Sequence, residues 1–385
     1  MNIGTMRFVD RFVGVPLCWI LGTAYKLGSP SKAALSPRVR RILVMKFFGL
    51  GSILLSTPAL LLMESAFPDA TITFLSFDRN RDLLRRFPSI DSVLTVRRTS
   101  ITNFLSDSFR LILHLVTVRY DVVFDLEFFS KFSTFLAGLS RARIRAAFSL
   151  PTYWRSSLVT HSIPLARDRH VTESFSSLVF AVTGSPMSIP AVQPPAVYEA
   201  DSQSLLKKIP LDDGPVIGVN VNAGDTFLER RWPPERFAAL VSALSREHGS
   251  VFVFTGISEE RSYVQHVIDM SGCRNRCINS AGDLSMPELG ALLRHCSLVI
   301  SNDSGTLHLA SALGTPTIGL YGPESPEFYG TTGNGSSILY SGISCSPCMN
   351  IYSAKSFRCP YDSRCMKQIP LADVLELAQH EALVH

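Results

Sequence analysis

The sequence predicts an α/β protein with two doubly wound, Rossmann-like domains. Three observations carry that expectation. Short apolar runs alternate with amphipathic stretches from residue 41 to residue 148. The same alternation returns from Val216 to Tyr321. Between them, Gly184 to Pro195 holds four prolines and a glycine, the composition of a linker. Strands alternating with helices over such lengths argue for parallel sheets. A chain of 385 residues can bury two sizeable cores. The expected division is 1–39, an amphipathic helix and linker; 40–195, the first domain; and 196–385, the second, with a Cys-containing loop and a C-terminal helix. Paired domains of this class usually take their ligand in a cleft faced by the carboxyl ends of their strands.

Charged residues make up 18% and hydrophobic residues 46%, which excludes a disordered chain. The net charge of +5 suits an anionic ligand or an anionic membrane and is too weak to argue for nucleic acid. The eight cysteines form no disulfide-rich pattern, so a reducing, cytoplasmic location is expected. Residues 8–28 look at first like a signal peptide or anchor. Their uncharged part, Phe12 to Tyr25, is well short of the roughly 20 residues a span needs. No small-residue cleavage site follows. Arg7, Arg11 and Lys26 flank Trp19 and Tyr25, so the segment reads either as a helix in a membrane interface or as a helix packed on the first domain.

In the first domain the expected strands are Arg41–Lys46, Ala70–Ser76, Ser92–Val96, Asp121–Leu126 and Ala142–Phe148. Helices are expected around Thr57–Leu60, Arg81–Arg86, Ile101–Val118, Phe128–Leu139 and Val171–Thr183, with residues 150–170 irregular. In the second domain the strands are Val216–Asn220, Val251–Thr255, Cys277–Asn279, Ser297–Ser301 and Thr317–Tyr321. Its helices are near Pro233–His248, Glu259–Ser271, Met286–His295 and Gly305–Leu313, and Pro370–Leu383 closes the chain.

Three Gly-containing strand ends are candidate binding loops. The first is Gly49-Leu50-Gly51-Ser52, a G-x-G that also reads as a plain tight turn. The second is Asn220-Val221-Asn222-Ala223-Gly224, followed by Glu229-Arg230-Arg231-Trp232-Pro233. Paired arginines at a strand end can clamp a diphosphate through their fixed donor forks. The third is Ser301-Asn302-Asp303-Ser304-Gly305-Thr306-Leu307-His308, set between a strand and a helix. Its turn and cap residues precede a helix whose positive end can receive a phosphate. His308 lies one helical turn after Ser304. Glu259 and Glu260 follow the strand V-F-V-F-T, where an acidic side chain can hold ribose hydroxyls or simply favour the helix dipole. Cys345, Cys348, Cys359 and Cys365 read either as tetrahedral zinc ligands or as reduced cysteines in a loop; the wide C-x5-C spacing favours the second.

Taken together, these segments resemble glycosyltransferase family 9, the heptosyltransferase family of lipopolysaccharide assembly. The match is carried by S-N-D-S-G-T-L-H-L-A-S-A-L-G-T-P-T-I-G-L-Y-G-P-E-S-P, by R-R-W-P-P-E-R-F-A-A-L, by R-I-L-V-M-K-F-F-G-L-G-S-I-L-L-S-T-P-A-L and by the late C-S-P-C. It covers roughly residues 40–380. The resemblance implies a GT-B fold with the acceptor on the first domain and the donor on the second. It implies inverting transfer of a sugar, plausibly heptose from ADP-heptose, onto a lipid-linked or envelope-glycan acceptor, with no cofactor and no metal. Asp303, Ser304, Gly305, Thr306 and His308 would then hold the donor diphosphate and sugar, Arg230 or Arg231 the leaving diphosphate, and Glu259 or Glu260 the nucleoside. Gly49 and Gly51 would form the acceptor-side turn. Work at the cytoplasmic face of a membrane, with peripheral contact, fits this role.

One departure stands out. The family pattern places an aspartate general base after the glycine of the amino-terminal turn; here Ser52 follows Gly51. Asp78, Asp125 and Asp225 are the candidate substitutes, with Asp225 preferred because it sits beside the Gly224 turn. The departure also opens a second reading, a non-catalytic sugar-nucleotide-binding or scaffold protein of envelope glycan assembly. A third, a nucleotide-sugar epimerase, would need acid and base residues at the anomeric centre that the sequence does not display.

Overall fold

The computed structural model describes residues 14–27, 38–128, 130–149, 157–209, 211, 214–224, 227–349 and 358–384. The chain divides into two compact units, Met1–Ala191 and Val192–His385.

The N-terminal unit runs α1 (Val15–Leu27), β1 (Arg41–Met45), α2 (Leu50–Leu54), α3 (Thr57–Ala66), β2 (Thr71–Phe77), α4 (Arg81–Leu84), β3 (Ser92–Val96), α5 (Ile101–Thr117), β4 (Val122–Asp125), α6 (Lys131–Leu139), β5 (Ile144–Ser149), β6 (His161–Pro164) and α7 (Val171–Thr183). Its six strands are all parallel, in the order β3-β2-β1-β4-β5-β6. The central strands are apolar without interruption because helices cover both faces of such a sheet. Ile42 to Met45 and Val122 to Phe124 are fully buried. The strand order reverses between β1 and β4, so their carboxyl ends form the unit's natural ligand edge.

The C-terminal unit repeats the plan. It runs α8 (Glu199–Lys208), β7 (Val216–Asn220), α9 (Pro234–His248), β8 (Val251–Phe254), α10 (Arg261–Ser271), β9 (Cys277–Asn279), α11 (Met286–His295), β10 (Leu298–Asn302), α12 (Gly305–Ala312), β11 (Thr317–Tyr321), α13 (Pro326–Tyr329), β12 (Ser336–Tyr340), α14 (Arg364–Lys367) and α15 (Leu371–Val384). The parallel order is β12-β11-β10-β7-β8-β9, with its reversal between β7 and β10. Trp232 is fully buried and meets Phe237 edge-on at 5.0 Å within this core.

Two strands correct the sequence reading. Residues 150–170 were expected to be irregular, yet His161–Pro164 joins the first sheet as β6. Ser336–Tyr340 joins the second as β12. Both are half-exposed edge strands, so neither shows the continuous apolar run of a central strand. Several boundaries also move. β10 ends at Asn302, which puts that side chain in the sheet. The helix expected from Phe128 starts at Lys131, where Ser130 Oγ caps the Ser133 amide at 3.2 Å. The α12 helix stops at Ala312.

The helix near the start packs on the N-terminal unit. Tyr25 donates its hydroxyl to the Gly138 carbonyl at 2.8 Å, and Arg145 stacks over the Tyr25 ring at 4.7 Å. Its other face, with Leu17, Trp19 and Ile20, is exposed. Arg7 and Arg11 lie outside the described residues. Among the described residues no helix is long and apolar enough to cross a membrane.

Glu288 ties α11 to α8. It accepts from Ser204 Oγ at 2.6 Å, Lys208 Nζ at 2.8 Å and the Ser285 amide at 2.8 Å. Burial pushes its carboxyl up, but Lys208, Ser204 and Ser285 together hold it at about 2, against an ordinary 4.5. A depressed folded pKa contributes stability that is complete above pH 4.5 and lost as the pH falls toward 2. Glu288→Gln should therefore flatten the acid limb of the stability–pH curve in that window. Chemical denaturation at stepped pH reads it, and an acid limb identical to wild type would refute the assignment.

Candidate functional site

The reversal point of the C-terminal sheet collects the charged and amide side chains that the sequence singled out. Asn302, at the end of β10, organises it. Its Oδ1 accepts the Trp232 amide at 2.9 Å and its Nδ2 donates to the Val221 carbonyl at 3.0 Å. Trp232 Nε1 donates to the Ile369 carbonyl at 3.1 Å. The Arg-Arg-Trp segment is thus pinned at its tryptophan, which delivers the two preceding arginines to the strand ends. Asn220, at the end of β7, donates to Ser304 Oγ at 2.8 Å. Ser304 caps α12, its Oγ accepting the Leu307 amide at 3.4 Å. The first N–H groups of α12 lack partners within the helix, as at any helix start, and point with the positive end of its dipole.

Asp303 is the charged centre of this cluster. Its side chain is 6% exposed and lies 3.4 Å from Arg230 Nη1 and 3.7 Å from His308 Nε2. Arg230 also lies 3.7 Å from Glu324. Burial pushes the Asp303 carboxyl up; Arg230 and the His308 ring outweigh it, so the group sits below its ordinary value and stays ionised. Asp303 and Arg230 in turn act on Tyr321, whose phenol is raised mainly by burial. Beside them, Arg231 lies 3.7 Å from Glu260 and 4.4 Å over the Tyr263 ring. Glu260 Oε2 accepts the Ile257 amide at 3.0 Å. A Cβ on Gly256 would stand 2.8 Å from Asn222 Nδ2, so a side chain there would displace that amide.

Several of these buried polar groups have no hydrogen bond: Arg230 Nε, Arg231 Nε, Asp303 Oδ2, His308 Nδ1, Asn222 Oδ1 and Thr255 Oγ1. Buried polar atoms are nearly always satisfied, so this local concentration of exceptions calls for a partner that the chain itself does not supply.

The structure brings Arg230, Asp303, Ser304 and His308 together, with Gly305 and Thr306 opening α12, and Arg231 with Glu260. Glu259 is exposed, and its carboxylate accepts from Ser258 Oγ at 2.9 Å. Asp225 lies outside the described residues. The sequence reading missed Glu324, although its place in Gly322-Pro323-Glu324, just after a buried strand, was a signal. Cys345, Cys348, Cys359 and Cys365 are all free thiols, and among the described residues no group of three or more His, Cys, Asp or Glu is placed to hold a metal.

The N-terminal unit has its own constellation at the ends of β1 and β4. Gly49 adopts φ +82°, the left-handed region, and caps α2. Ser52 lies half-buried in the first turn of α2. Lys46 and Glu127 form a buried ion pair at 3.0 Å. Glu127 Oε1 also accepts the Phe47 and Phe48 amides at 2.6 and 3.0 Å. Glu127 therefore fixes the chain as it leaves β1 for the Gly49 turn. This pair was not foreseen, although Lys46 and Glu127 each end an apolar strand run. Of the proposed substitute carboxylates, Asp125 is buried and accepts from Ser133 Oγ at 2.9 Å and the Glu127 amide at 3.1 Å. Asp78 accepts from Arg81 Nε at 2.9 Å and Thr95 Oγ1 at 3.1 Å.

Two parallel doubly wound units, the second carrying the Arg230–Asp303–His308 cluster at the start of a helix, define a protein of GT-B architecture. Residues 108–356 match the family model of glycosyltransferase family 9 (heptosyltransferase), and the chain belongs to that family. It is 26% identical over 290 residues to lipopolysaccharide heptosyltransferase 3 of Escherichia coli, covering 72% of this chain and 82% of that protein. Among solved structures, the glycosyl transferase family 9 protein of Veillonella parvula DSM 2008 superposes with a TM-score of 0.75 at 24% identity, covering 92% of this chain and 100% of that one. The E. coli ADP-heptose lipopolysaccharide heptosyltransferase II follows at 0.71 and 20% identity, covering 89% and 99%. These likenesses establish the GT-B fold.

Proposed function

We propose that this protein is an inverting heptosyltransferase that moves heptose from ADP-heptose onto a lipopolysaccharide or related lipid-linked envelope glycan, at the cytoplasmic face of a membrane it contacts peripherally. The relative and the solved structure described above carry names of that activity and that donor. The observation that carries the reading is the buried Arg230–Asp303–His308 cluster at the start of α12, with its unsatisfied donors.

In this reading Arg230 and the first amides of α12 receive the donor diphosphate. Their positive charge stabilises it as it leaves, which is where preorganised donors lower a barrier most. Asp303 holds Arg230 and His308 in place, and His308 reaches a sugar or phosphate oxygen. Arg231 and Glu260 serve the nucleoside end, with Glu260 or Glu259 taking the ribose hydroxyls. The acceptor hydroxyl attacks the anomeric carbon from the face opposite the diphosphate, which inverts its configuration. Gly49, Gly51 and Ser52 form the turn on the acceptor side. Asp225, beside the Gly224 turn, is the candidate to take the acceptor proton.

A second reading, a donor-binding protein of envelope glycan assembly that does not transfer, is favoured by one observation, Ser52 in place of an acidic residue. The experiment is to incubate the full chain with ADP-heptose and a bacterial lipid extract and to follow ADP release and lipid glycosylation. ADP released in step with heptosylated lipid supports transfer. ADP-heptose bound without release supports the second reading, and absence of any ADP-heptose binding sinks both.

A further inference from the structure

We propose that α5 and α1 together form the face on which this protein rests on an anionic lipid bilayer. The inference deepens the reading of a membrane-borne acceptor, and its observations are independent of the donor site.

The α5 helix is apolar on two sides. Phe104, Leu111 and Leu115 enter the core. Ile101, Leu105, Phe109, Leu113 and Val116 do not: they stay exposed, Leu105 by 60% and Phe109 by 62%. At 3.6 residues per turn these five occupy one continuous arc of about 120° beside the buried stripe. Single exposed hydrophobics are ordinary, but a row of five large ones along one helix is not. The α1 helix adds Leu17, Trp19 and Ile20, all exposed. Both α5 and α1 pack against α6, so the two helices flank the same neighbour on the N-terminal unit.

Charge selects the occupant. Residues 1–191 carry 23 Lys and Arg against 12 Asp and Glu, a net +11, whereas residues 192–385 carry 14 against 20, a net −6. The modest charge of the whole chain hides this asymmetry. Asp107 is the one acid on α5, and Arg97 takes both its oxygens at 2.8 Å. Arg110 on the helix and Arg119 just beyond it remain exposed. A second copy of the same face would bring two strongly cationic units together, which like-charge repulsion opposes. An anionic bilayer offers the opposite charge and an acyl boundary that takes up Trp, Phe and Leu side chains.

The test uses the full chain and vesicles without any glycan, so that its outcome is separate from that of the transfer reading. Sedimentation with phosphatidylcholine vesicles, with and without phosphatidylglycerol, is measured at low and high salt. Binding should require phosphatidylglycerol and weaken with salt. Leu105→Glu combined with Phe109→Glu should cut it at least about tenfold, while the thermal unfolding profile, which reports a folded N-terminal unit, and the ADP affinity are unchanged. Trp19→Ser should weaken it less. Wild-type binding by the double variant would overturn the proposal, as would equal binding to neutral vesicles. A concentration-dependent dimer in light scattering that the double variant abolishes would overturn it in favour of a second copy. Loss of vesicle binding only on removal of residues 1–13 would overturn it in favour of that segment.

Discussion

Asp303→Ala should abolish measurable transfer and lower ADP affinity by about a hundredfold. Removing one partner of a buried ion pair costs about 3–5 kcal/mol, because the other charge stays buried without compensation. Here Arg230 would keep Glu324 at 3.7 Å but lose the carboxylate at 3.4 Å, and His308 would lose its charged neighbour. For a unit of this size about 3 kcal/mol lowers the melting temperature by roughly 6–12 °C. The affinity loss has a separate origin. A guanidinium held on one side only, by Glu324, must be ordered again when the diphosphate arrives. Asp303→Asn keeps the shape and removes the charge, so it should recover part of the stability and little of the affinity. The double variant Asp303→Ala with Arg230→Ala should lose less than the two single variants summed, since the two side chains are in contact. Acid has a related effect. The folded Asp303 carboxyl lies below its ordinary 3.8, so its contribution is complete above that pH and fades as the pH falls through the folded value. Thermal unfolding and titration calorimetry with ADP check these outcomes, and an ADP affinity that survives Asp303→Ala unchanged would remove the cluster from the donor site.

The central strands and the donor-side segment were legible because each obeys a local rule. A parallel strand covered on both faces needs an apolar body, and β1, β7, β10 and β11 have one, with their polar residues confined to the strand ends. Ser304 announces a helix start, and the strand before it makes that start a binding edge. The edge strands β6 and β12 obey no such rule, because half their side chains meet solvent. The partnerships within the site were hidden for a different reason. Asn302 reads as a turn residue until β10 is seen to run through it and to hold Trp232, 70 residues earlier in the chain. Lys46 and Glu127 are 81 residues apart, and their pairing depends on β1 lying beside β4, which sequence spacing does not encode. Arg231 and Glu260 were each singled out for a ligand; that they also face one another follows from β7 lying beside β8. The amphipathicity of α5 was visible as a helix pattern, but which of its apolar positions enter the core is decided by the sheet it covers.

Ser52→Asp should raise the transfer rate by roughly 10²-fold or more, the scale on which a positioned general base acts. A serine hydroxyl does not accept a proton at neutral pH, so position 52 supplies no base as it stands. The carboxylates described near the ends of β1, β2 and β4 are already engaged: Asp78 with Arg81 and Thr95, Asp125 with Ser133, and Glu127 with Lys46 and two backbone amides. Recruiting any of them would break bonds that hold the turn or the strands. Position 52 itself can receive a carboxylate. It lies half-buried in the first turn of α2, where the helix dipole favours an acidic side chain, and the Gly49 turn that presents it is fixed by Glu127 rather than by Ser52. The substitution should therefore add function without unfolding the turn, and single-turnover measurement with ADP-heptose and lipid acceptor reads it. A paired variant separates the two sources of a base: Asp225→Asn should suppress wild-type transfer by about the same factor and have little effect when combined with Ser52→Asp. A rate that Ser52→Asp leaves unchanged, in a chain that Asp225→Asn also leaves unchanged, would refute base catalysis from either place.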